Sequence, residues 1–397
     1  MNTYSKKEVI QMLIRYQNLD GLDQLTGMEG VRTIMNRIGS IQYDPLNVVG
    51  RNADLVLQAR LKEYQPEHLF SLLYEEYSLI DGFDKEMCIY CTKDYGKFAK
   101  VREAHTQSVI LTLQYRNQMA ALDIVDEVMT FVKEHGATGT KDITIGEVRE
   151  SRWGAKKLSS ATLDYLYNKG MLCVKEKKGT QKYFDLTERV LPGIYSLYDD
   201  MSMEEFLDWY IKRRIACIGM MWDKRGGAWQ GHYLDQNDIR GTTLKGLVER
   251  GELDVCQIEG INTEFYMLPE LKQGLKEVQL GDDTRFIAPL DNMMWDRAFV
   301  EKVFDFSYRW EVYTPVVKRK YGYYVIPVMY QHRFVARFEP EIVSKSKEFC
   351  IKHWWWEPDI TPSETMIESI INEMNRFAEF LGTESSKKNI KMIQKIN

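Results

Sequence analysis

An amide, a carboxylate and a guanidinium lie close together in the sequence, just after the second predicted helix. Gln42 and Asp44 are separated by one residue, and Arg51 follows a few positions later. Successive side chains of an extended segment point to opposite faces, so Gln42 and Asp44 are expected to share a face. Such a pair could hold and deprotonate a water molecule, while Arg51 could bind a phosphate or pair with the acid. The spacing alone is weak evidence, because Asp-Pro is also a common turn opener.

Length and composition indicate a soluble, globular protein with several domains. The chain has 397 residues and a formal net charge of −5 at pH 7, and this length exceeds that of one ordinary domain. No apolar run reaches membrane-spanning length, and the N-terminus lacks the apolar core of a secretory signal. A cytoplasmic location with no membrane partner is therefore expected. Six cysteines in a chain of this length do not predict a disulfide framework.

The sequence predicts neither a metal site nor a cofactor. Cys88 and Cys91 form a Cys-x-x-Cys pair, but no second Cys or His pair lies nearby at zinc-ribbon spacing. Asp291 and Asp296 resemble a carboxylate pair, yet no further ligand residues accompany them. The segment Arg225–Gly227 lacks the Lys-Ser/Thr of a phosphate-binding loop, and the common hydrolase motifs are absent.

Helical periodicity predicts a helical N-terminal region. Apolar residues recur at helical spacing in Lys6–Gln17 and Gly27–Gly39, and the Gln42 segment leaves this pair. Further helices are predicted at Arg51–Leu61 and at Pro66–Tyr74, where Pro66 suits a first turn. A closing helix is predicted at Ser363–Leu381, between a proline and a glycine.

Two segments in the middle of the chain have the element order of a winged helix. The first has helices at Asp123–His135, Ile145–Ser151 and Ser159–Lys169, then strands at Met171–Glu176 and Gln181–Leu186 joined by a basic tip. A second copy is predicted from Met203 to Leu268, and the opening helices could form a third. Both copies share the pattern Leu-x-x-Leu-x-x-x-Gly-x-Leu. Any helix that ends at a glycine before a strand would show the same pattern.

The C-terminal part is rich in aromatic and β-branched residues. Antiparallel strands are predicted within Thr284–Trp356, at Tyr308–Tyr313, Tyr321–Val328 and Arg333–Phe338. The sequence thus predicts an α+β protein with tandem winged-helix domains and a C-terminal β-rich domain. The predicted domains are residues 1–118 (helical or winged-helix, with the Gln42 segment), 119–200 (second winged helix), 201–280 (third winged helix) and 281–397 (β-rich, with the closing helix).

Basic residues cluster although the chain is acidic overall, as a basic cleft on an acidic body would require. Lys156 and Lys157 precede the predicted recognition helix, where phosphate contacts are expected. Trp354–Trp356 could stack on bases, but adjacent tryptophans more often brace a sheet, and we favour that core role. The predicted DNA-contact residues are Asn47, Arg51, Lys156, Lys157, Lys318, Arg319 and Arg337.

Three parts of the chain together resemble the AlkZ/YcaQ-like winged-helix DNA glycosylases. They are Gln42–Asp44 with Asn47–Arg60, the segment Trp153–Pro192, and Ala288–Arg297 with Tyr308–Tyr313 and Tyr321–Pro327. The resemblance implies tandem winged helices and a β-rich domain in a C-shaped fold around duplex DNA. It also implies excision of N7- or N3-alkylated purines and, in some members, unhooking of interstrand crosslinks.

The resemblance implies a role for each residue of the motif. The family's catalytic signature is Gln, an apolar or aromatic residue, then Gln or Asp, which matches Gln42, Tyr43 and Asp44 of the YcaQ-like branch. Asp44 would stabilise the oxocarbenium ion and deprotonate water that Gln42 orients. The expected protein is a monomeric, monofunctional glycosylase that needs no cofactor and acts on double-stranded DNA carrying alkylated purines. A non-catalytic winged-helix DNA-binding regulator and an interaction scaffold are the alternatives.

Overall fold

The computed structural model describes residues 1–146, 148–149, 156–194, 201–276, 283–343 and 347–395. The chain forms two compact units. Residues 1–69 and 207–397 form one, called here the split unit, and residues 70–206 form the central unit. The four predicted domains do not coincide with these units, because the range 1–118 extends over both. Within the described ranges, every helix is too short or too polar to cross a bilayer.

Most predicted helices are confirmed, with ends that shift by a few residues. The described α-helices are α1 (Lys6–Tyr16), α2 (Gly27–Ile38), α3 (Asn52–Gln58), α4 (Pro66–Tyr74), α5 (Ala99–Tyr115), α6 (Val125–His135), α7 (Leu158–Lys169), α8 (Thr187–Val190), α9 (Met203–Ile218), α10 (Asn237–Glu249), α11 (Arg297–Phe304), α12 (Glu364–Phe380) and α13 (Lys387–Ile393). The first of them begins at a capping box, in which Ser5 Oγ accepts from the Glu8 amide and the Glu8 carboxylate accepts from the Ser5 amide.

The strands complete a mixed α+β architecture, as predicted. The described strands are β1 (Asn2–Tyr4), β2 (Ser40–Gln42), β3 (Leu79–Phe83), β4 (Met87–Cys91), β5 (Thr138–Gly139), β6 (Val148–Arg149), β7 (Lys156–Lys157), β8 (Leu172–Lys178), β9 (Gln181–Leu186), β10 (Met220–Trp222), β11 (Asp254–Ile258), β12 (Ile261–Met267), β13 (Thr284–Phe286), β14 (Ile326–Tyr330), β15 (Arg333–Val343), β16 (Glu348–Trp356) and β17 (Glu384–Ser385).

The split unit contains two sheets. The first has the order β1-β11-β12-β10, and its N-terminal strand pairs in parallel with β11. The second has the order β13-β14-β15-β16-β17. Aromatic side chains join this second sheet to α12, since the Phe377 ring lies 5.4 Å from the rings of Phe286 and Phe349. Trp354 is buried on β16, 5.9 Å from Phe338, so its core role is confirmed.

The central unit contains a helix pair that packs on a three-stranded sheet. Helices α6 and α7 bury Val132 and Leu166 in one core with Phe184 of β9, and the sheet has the order β5-β9-β8. The predicted hairpin with its basic tip is therefore confirmed. Cys88 and Cys91 are both buried on β4, which pairs with β3.

The helix predicted at Ile145–Ser151 is wrong over its described residues. Val148 and Arg149 form strand β6, which pairs antiparallel with Lys156–Lys157. Gly146 has a φ of +78°, a left-handed conformation that an α-helix cannot accommodate. The remaining residues of that prediction, 147 and 150–151, lie outside the described residues.

The second copy of the layout has helices and a hairpin where they were predicted. Helix α9 is followed by α10, and β11 and β12 form an antiparallel hairpin. In both copies the helix before the hairpin ends shortly before a glycine with positive φ, which is Gly170 in one and Gly251 in the other. The shared leucine and glycine pattern therefore marks the same helix-to-strand turn twice.

The strand predicted at Tyr308–Tyr313 is wrong. Residues 305–325 have no strand, and only a short 3₁₀ helix, Val316–Lys318, interrupts the irregular backbone. The Glu311 carboxylate accepts hydrogen bonds from the backbone amides of Lys320 and Tyr321, at 2.9 Å each. Because a side chain satisfies these amides, the segment does not need a neighbouring strand.

One carboxyl in α3 makes stability depend on pH. Burial raises the pKa of Asp54 from its ordinary 3.8 to about 6, although Tyr64 donates a hydrogen bond to it at 2.8 Å. Between these two values the folded chain holds a proton that the unfolded chain has lost. The stabilisation is therefore complete below pH 3.8 and decreases as the pH rises through about 6.

We expect Asp54→Asn to remove this dependence. Relative to the variant, the free energy of unfolding of the wild type should fall by about 2–3 kcal/mol between pH 4 and pH 7. Urea denaturation of both proteins across this range measures the difference. A difference that stays constant with pH would show that Asp54 has the same pKa in both states.

Candidate active site

Strand β2, which ends at Gln42, is buried and held by two asparagine side chains. Asn292 Nδ2 donates to the Ser40 carbonyl at 2.8 Å, and Asn52 Nδ2 donates to the Gln42 carbonyl at 2.8 Å. Asn52 also accepts from the Leu290 amide at 3.2 Å. The backbone of the strand is thus fixed at both ends, by α3 and by the segment around Leu290.

Helix α9 supplies a third support for this strand. Arg213 donates to Ser40 Oγ and to the Gly39 carbonyl, at 2.9 Å each. The next residue, Arg214, donates to the carbonyls of Ala228 and Gln230 at 2.8 and 2.6 Å. Both arginines are buried, so they hold backbone segments in place instead of facing solvent.

A buried ion pair supports the segment that holds β2. Arg60 Nη1 and Nη2 lie 2.7 and 2.8 Å from the two carboxylate oxygens of Asp291, and neither side chain is exposed. Gln17 Oε1 accepts from Arg60 at 2.7 Å, and Asp291 accepts from the Met293 amide at 2.9 Å. Asp291 is therefore an anchor for the Leu290–Asn292 turn and does not form an acid/base pair with Asp296.

Asp296 caps α11. Its carboxylate accepts from the Phe299 amide at 3.0 Å and from Trp222 Nε1 at 2.8 Å, while burial raises its pKa. Among the residues that the structure describes, no three His, Cys, Asp or Glu side chains are arranged as metal ligands.

Asp44 lies two residues beyond β2 on an ordered, half-buried turn. One of its carboxylate oxygens accepts from the Leu46 amide at 2.8 Å, which fixes the side chain. In the described part of the chain, no cationic side chain forms an ion pair with Asp44. The carboxylate is therefore oriented and partly exposed, and no arginine or lysine among the described residues pairs with it.

Tyr324 is near enough to Asp44 for the charge of the acid to affect its pKa. It is 3% exposed, and burial, with smaller contributions from Tyr308 and the charge of Asp44, raises its pKa. The phenol stays protonated and can donate a hydrogen bond. Tyr308 is also buried, and its hydroxyl donates to the Val325 carbonyl at 2.7 Å. Both tyrosines belong to the loop before β14, and Tyr324 is the one whose pKa the charge of Asp44 affects.

Asn47 and Arg51 border the turn that follows Asp44. Their backbones form an isolated antiparallel bridge, and Asn47 Oδ1 accepts from the Gly50 amide at 2.9 Å. Arg51 is the N-cap residue of α3 and lies close enough to Asp54 to influence its pKa. The structure therefore places Gln42, Asp44, Asn47 and Arg51 on one continuous stretch between β2 and α3.

The other predicted DNA-contact residues lie in three different environments. Lys156 and Lys157 form β7, directly before α7, and their side chains lie outside the described residues. Lys318 is exposed, and Arg319 Nε donates to the Thr314 carbonyl at 2.8 Å. Both belong to the loop before β14.

Arg337 is a core residue and is unsuited to contact DNA. It is 3% exposed, its Nε donates to Glu357 at 2.6 Å, and its Nη2 donates to the Ser307 carbonyl at 3.0 Å. Its guanidinium also lies 4.6 Å from the ring of Phe306 and 4.2 Å from that of Tyr321. Because its charge is paired with Glu357 and it donates to the Ser307 carbonyl, Arg337 joins the loop before β14 to the sheet.

The residues that position the site were not predicted as such. Asn292 and the Arg60–Asp291 pair act across sequence separations of 252 and 231 positions. Asn52 reaches Gln42 across 10 positions and Leu290 across 238, and no local pattern reveals such distant partners. Exposed apolar side chains of the loop before β14 were also missed. Tyr313 is 85% exposed, Val316 73% and Val317 91%, and their position directly before the basic run Lys318–Lys320 was the available signal.

Comparison with known proteins places this chain in a family. A family model described as DNA glycosylase AlkZ-like matches residues 35–380, a range that contains Gln42, Asp44, Asn52 and Asp291. Among solved structures, Streptomyces sahachiroi DNA glycosylase AlkZ is similar with a TM-score of 0.66 and 14% identity. The match covers 97% of this chain and 98% of that chain, so the two share a fold along nearly their whole length. The chain therefore belongs to the AlkZ-like DNA glycosylase family.

Proposed function

We propose that this protein is a monofunctional DNA glycosylase that hydrolyses the N-glycosidic bond of cationic N7- or N3-alkylpurines in duplex DNA. The observation that carries this function is the environment of Asp44. Its carboxylate is fixed by the Leu46 amide, is half-buried, and pairs with no cation in the described residues. Family membership supplies the class of reaction.

The chemistry follows from the charge of the lesion. An alkylated purine is cationic and departs as a neutral base, so it needs little protonation. As the bond from C1′ to the purine nitrogen breaks, the sugar gains positive charge, which a carboxylate beside C1′ stabilises. Water then bonds to C1′ and gives its proton to Asp44, while Gln42 orients it. No amine nucleophile takes part, so the DNA strand stays intact.

We assign DNA binding to two winged helices and to two loops, the one that follows Asp44 and the one before β14. The first comprises α6, α7 and the β8–β9 hairpin, and the second comprises α9, α10 and the β11–β12 hairpin. Lys156 and Lys157 directly precede α7, a position suited to phosphate contacts. Asn47, Arg51, Lys318 and Arg319 are the further contacts that we propose. Binding by a monomer should weaken as salt rises.

Interstrand crosslinks are a second substrate that we propose for the same site. A base tied to the opposite strand cannot rotate into a closed pocket, as many glycosylases require. Asp44 is only half-buried, which supports attack at a nucleotide that stays in the duplex. The Gln-x-Asp form of the motif assigns the chain to the YcaQ-like branch.

A base-release assay tests this function. Wild-type protein and a duplex with one 7-methylguanine should yield the free base and an abasic strand that breaks only after alkali treatment. A nitrogen-mustard crosslink should be opened in a parallel reaction. Strand cleavage without alkali would contradict the monofunctional mechanism. Tight binding to one particular sequence without base release would identify a winged-helix regulator instead.

A further inference from the structure

Arg297, the first residue of α11, is a half-buried cation without an acidic partner. In the described residues it forms no ion pair and no hydrogen bond, and its guanidinium lies 5.5 Å from the ring of Tyr308. The adjacent carboxylate of Asp296 binds the Phe299 amide and Trp222 instead. Burying a charge is unfavourable unless an anion or a hydrogen-bond acceptor compensates it.

A second guanidinium adds to this positive charge. Burial lowers the pKa of Arg297, and the charge of Arg309 lowers it further. Arg309 is exposed and directly follows Tyr308 in the chain. Glu311 is near enough to be influenced by Arg309, but it already accepts hydrogen bonds from the amides of the 320–322 segment. The two arginines thus leave a local excess of positive charge.

Arg337 is a second arginine that contacts Tyr and Phe rings, and its charge, unlike that of Arg297, is paired with a carboxylate. That carboxylate is Glu357, at 2.6 Å. Arg297 has the aromatic contact but lacks the carboxylate. An external anion would supply the missing partner, and a guanidinium binds two oxygens of a phosphate in a favourable geometry.

Two tyrosines of the loop before β14, Tyr308 and Tyr324, relate Arg297 and Arg309 to Asp44. Arg297 and Tyr308 are in contact, and Tyr308 and Asp44 both influence the buried hydroxyl of Tyr324. Arg297 thus lies near Tyr308, and Asp44 is near enough to Tyr324, in the same loop, to affect its pKa. In DNA each sugar is flanked by phosphodiesters, so a phosphate held by the arginines would place the adjoining C1′ near the acid.

We infer that Arg297 and Arg309 form a binding site for one phosphodiester of the DNA backbone next to the damaged nucleotide. The site rests on the proposed glycosylase function, because that function supplies DNA as the anion. It reads no base and so contributes equally to damaged and undamaged duplexes. Its role is to position the sugar of the damaged nucleotide so that C1′ lies close to the Asp44 carboxylate.

Neutral linkages on either side of one tetrahydrofuran abasic analogue, which fixes where the protein binds and has no base to release, test this site without requiring catalysis. The full-length wild type and Arg297→Ala are titrated with duplexes that carry a methylphosphonate at one position each. The wild type should bind one of these duplexes about tenfold more weakly, and Arg297→Ala should show no additional loss at that position. Salt titration should give a slope of log K against log salt that is smaller by about 0.9 in the variant.

Matched variants keep the result interpretable. Lys302→Ala removes an exposed cation from the same helix and should leave both the salt slope and the methylphosphonate profile unchanged. Arg309→Ala changes an exposed residue that is not expected to affect folding, and should reproduce part of the Arg297→Ala effect. Circular dichroism melts confirm that each variant is folded.

The outcomes separate this site from the proposed activity. Equal methylphosphonate losses in wild type and Arg297→Ala, with normal release of 7-methylguanine, would overturn the phosphate site and leave the glycosylase function standing. Suppose instead that one methylphosphonate weakens binding of the wild type but not of Arg297→Ala, and that no base is released. This result would support the phosphate site and contradict the glycosylase activity. Absence of DNA binding by the wild type would overturn both.

Discussion

Asp44→Asn is expected to bind alkylated duplex DNA as the wild type does and to release 7-methylguanine about 10²–10⁴-fold more slowly. The neutral amide cannot take a proton from water and stabilises the oxocarbenium ion poorly. It can still accept the hydrogen bond from the Leu46 amide that orients the Asp44 side chain. The variant therefore tests the effect of the negative charge at position 44 while the turn that holds the side chain is kept.

Single-turnover release of the base, measured with excess enzyme, gives the rate of the chemical step. Anisotropy with labelled duplex gives the affinity. Asp235→Asn is the matched control, because it neutralises an exposed carboxylate elsewhere in the split unit and should retain the wild-type rate. Wild-type turnover by Asp44→Asn would remove Asp44 as the base.

Arg60→Ala is expected to lower the free energy of unfolding by about 3–5 kcal/mol. It leaves the fully buried Asp291 carboxylate without its cation and leaves Gln17 Oε1 without its donor. A loss of this size is a large part of the roughly 5–15 kcal/mol that is typical of a whole domain. The same change frees the Leu290–Asn292 turn, so base release should also fall in the folded fraction.

Urea denaturation at pH 7 measures this loss. Lys6→Ala is the comparison, because the Lys6–Asp305 pair at 2.7 Å is exposed and such pairs contribute little. A double variant, Arg60→Met with Asp291→Leu, replaces both charges and should be less destabilised than Arg60→Ala. If Arg60→Ala costs no more than Lys6→Ala, the buried pair is not the anchor of the turn.

Helices with a strong apolar period could be predicted from the sequence. Helices α1, α2 and α12 each bury one face, and their cap residues mark the ends. Helix α5 was not predicted, because only Val101, Thr106 and Leu113 are buried along its 17 residues. A helix with so small a buried face shows no clear period.

The irregular segments were harder to predict because side chains replace the usual backbone partners. Tyr308–Tyr313 has the composition of a strand, but the segment folds around the Glu311 carboxylate. Similarly, Arg337 has the sequence character of an exposed cation, yet it is buried against Glu357. The type of a residue indicates whether it usually lies in a strand or at the surface, but it does not show which partner it contacts in the folded protein.

The motif of the site could be predicted, but its support could not. Gln42 and Asp44 were found through their spacing and their resemblance to a family signature. Their supports, Asn52 and Asn292, lie on segments separated by 240 positions, and only the tertiary structure shows that both hold β2. The predicted sharing of a face by Gln42 and Asp44 stays a prediction.

The most direct test of the central claim, a carboxylate at position 44 facing C1′, compares two abasic-site analogues in the same duplex. A pyrrolidine nucleotide carries a positive charge where the oxocarbenium ion forms, and a tetrahydrofuran nucleotide is neutral. The wild type should prefer the cationic analogue by about 10²-fold or more, and Asp44→Asn should lose that preference while binding the neutral analogue normally. Equal affinity of the wild type for both analogues, or an undiminished preference in Asp44→Asn, would contradict the claim.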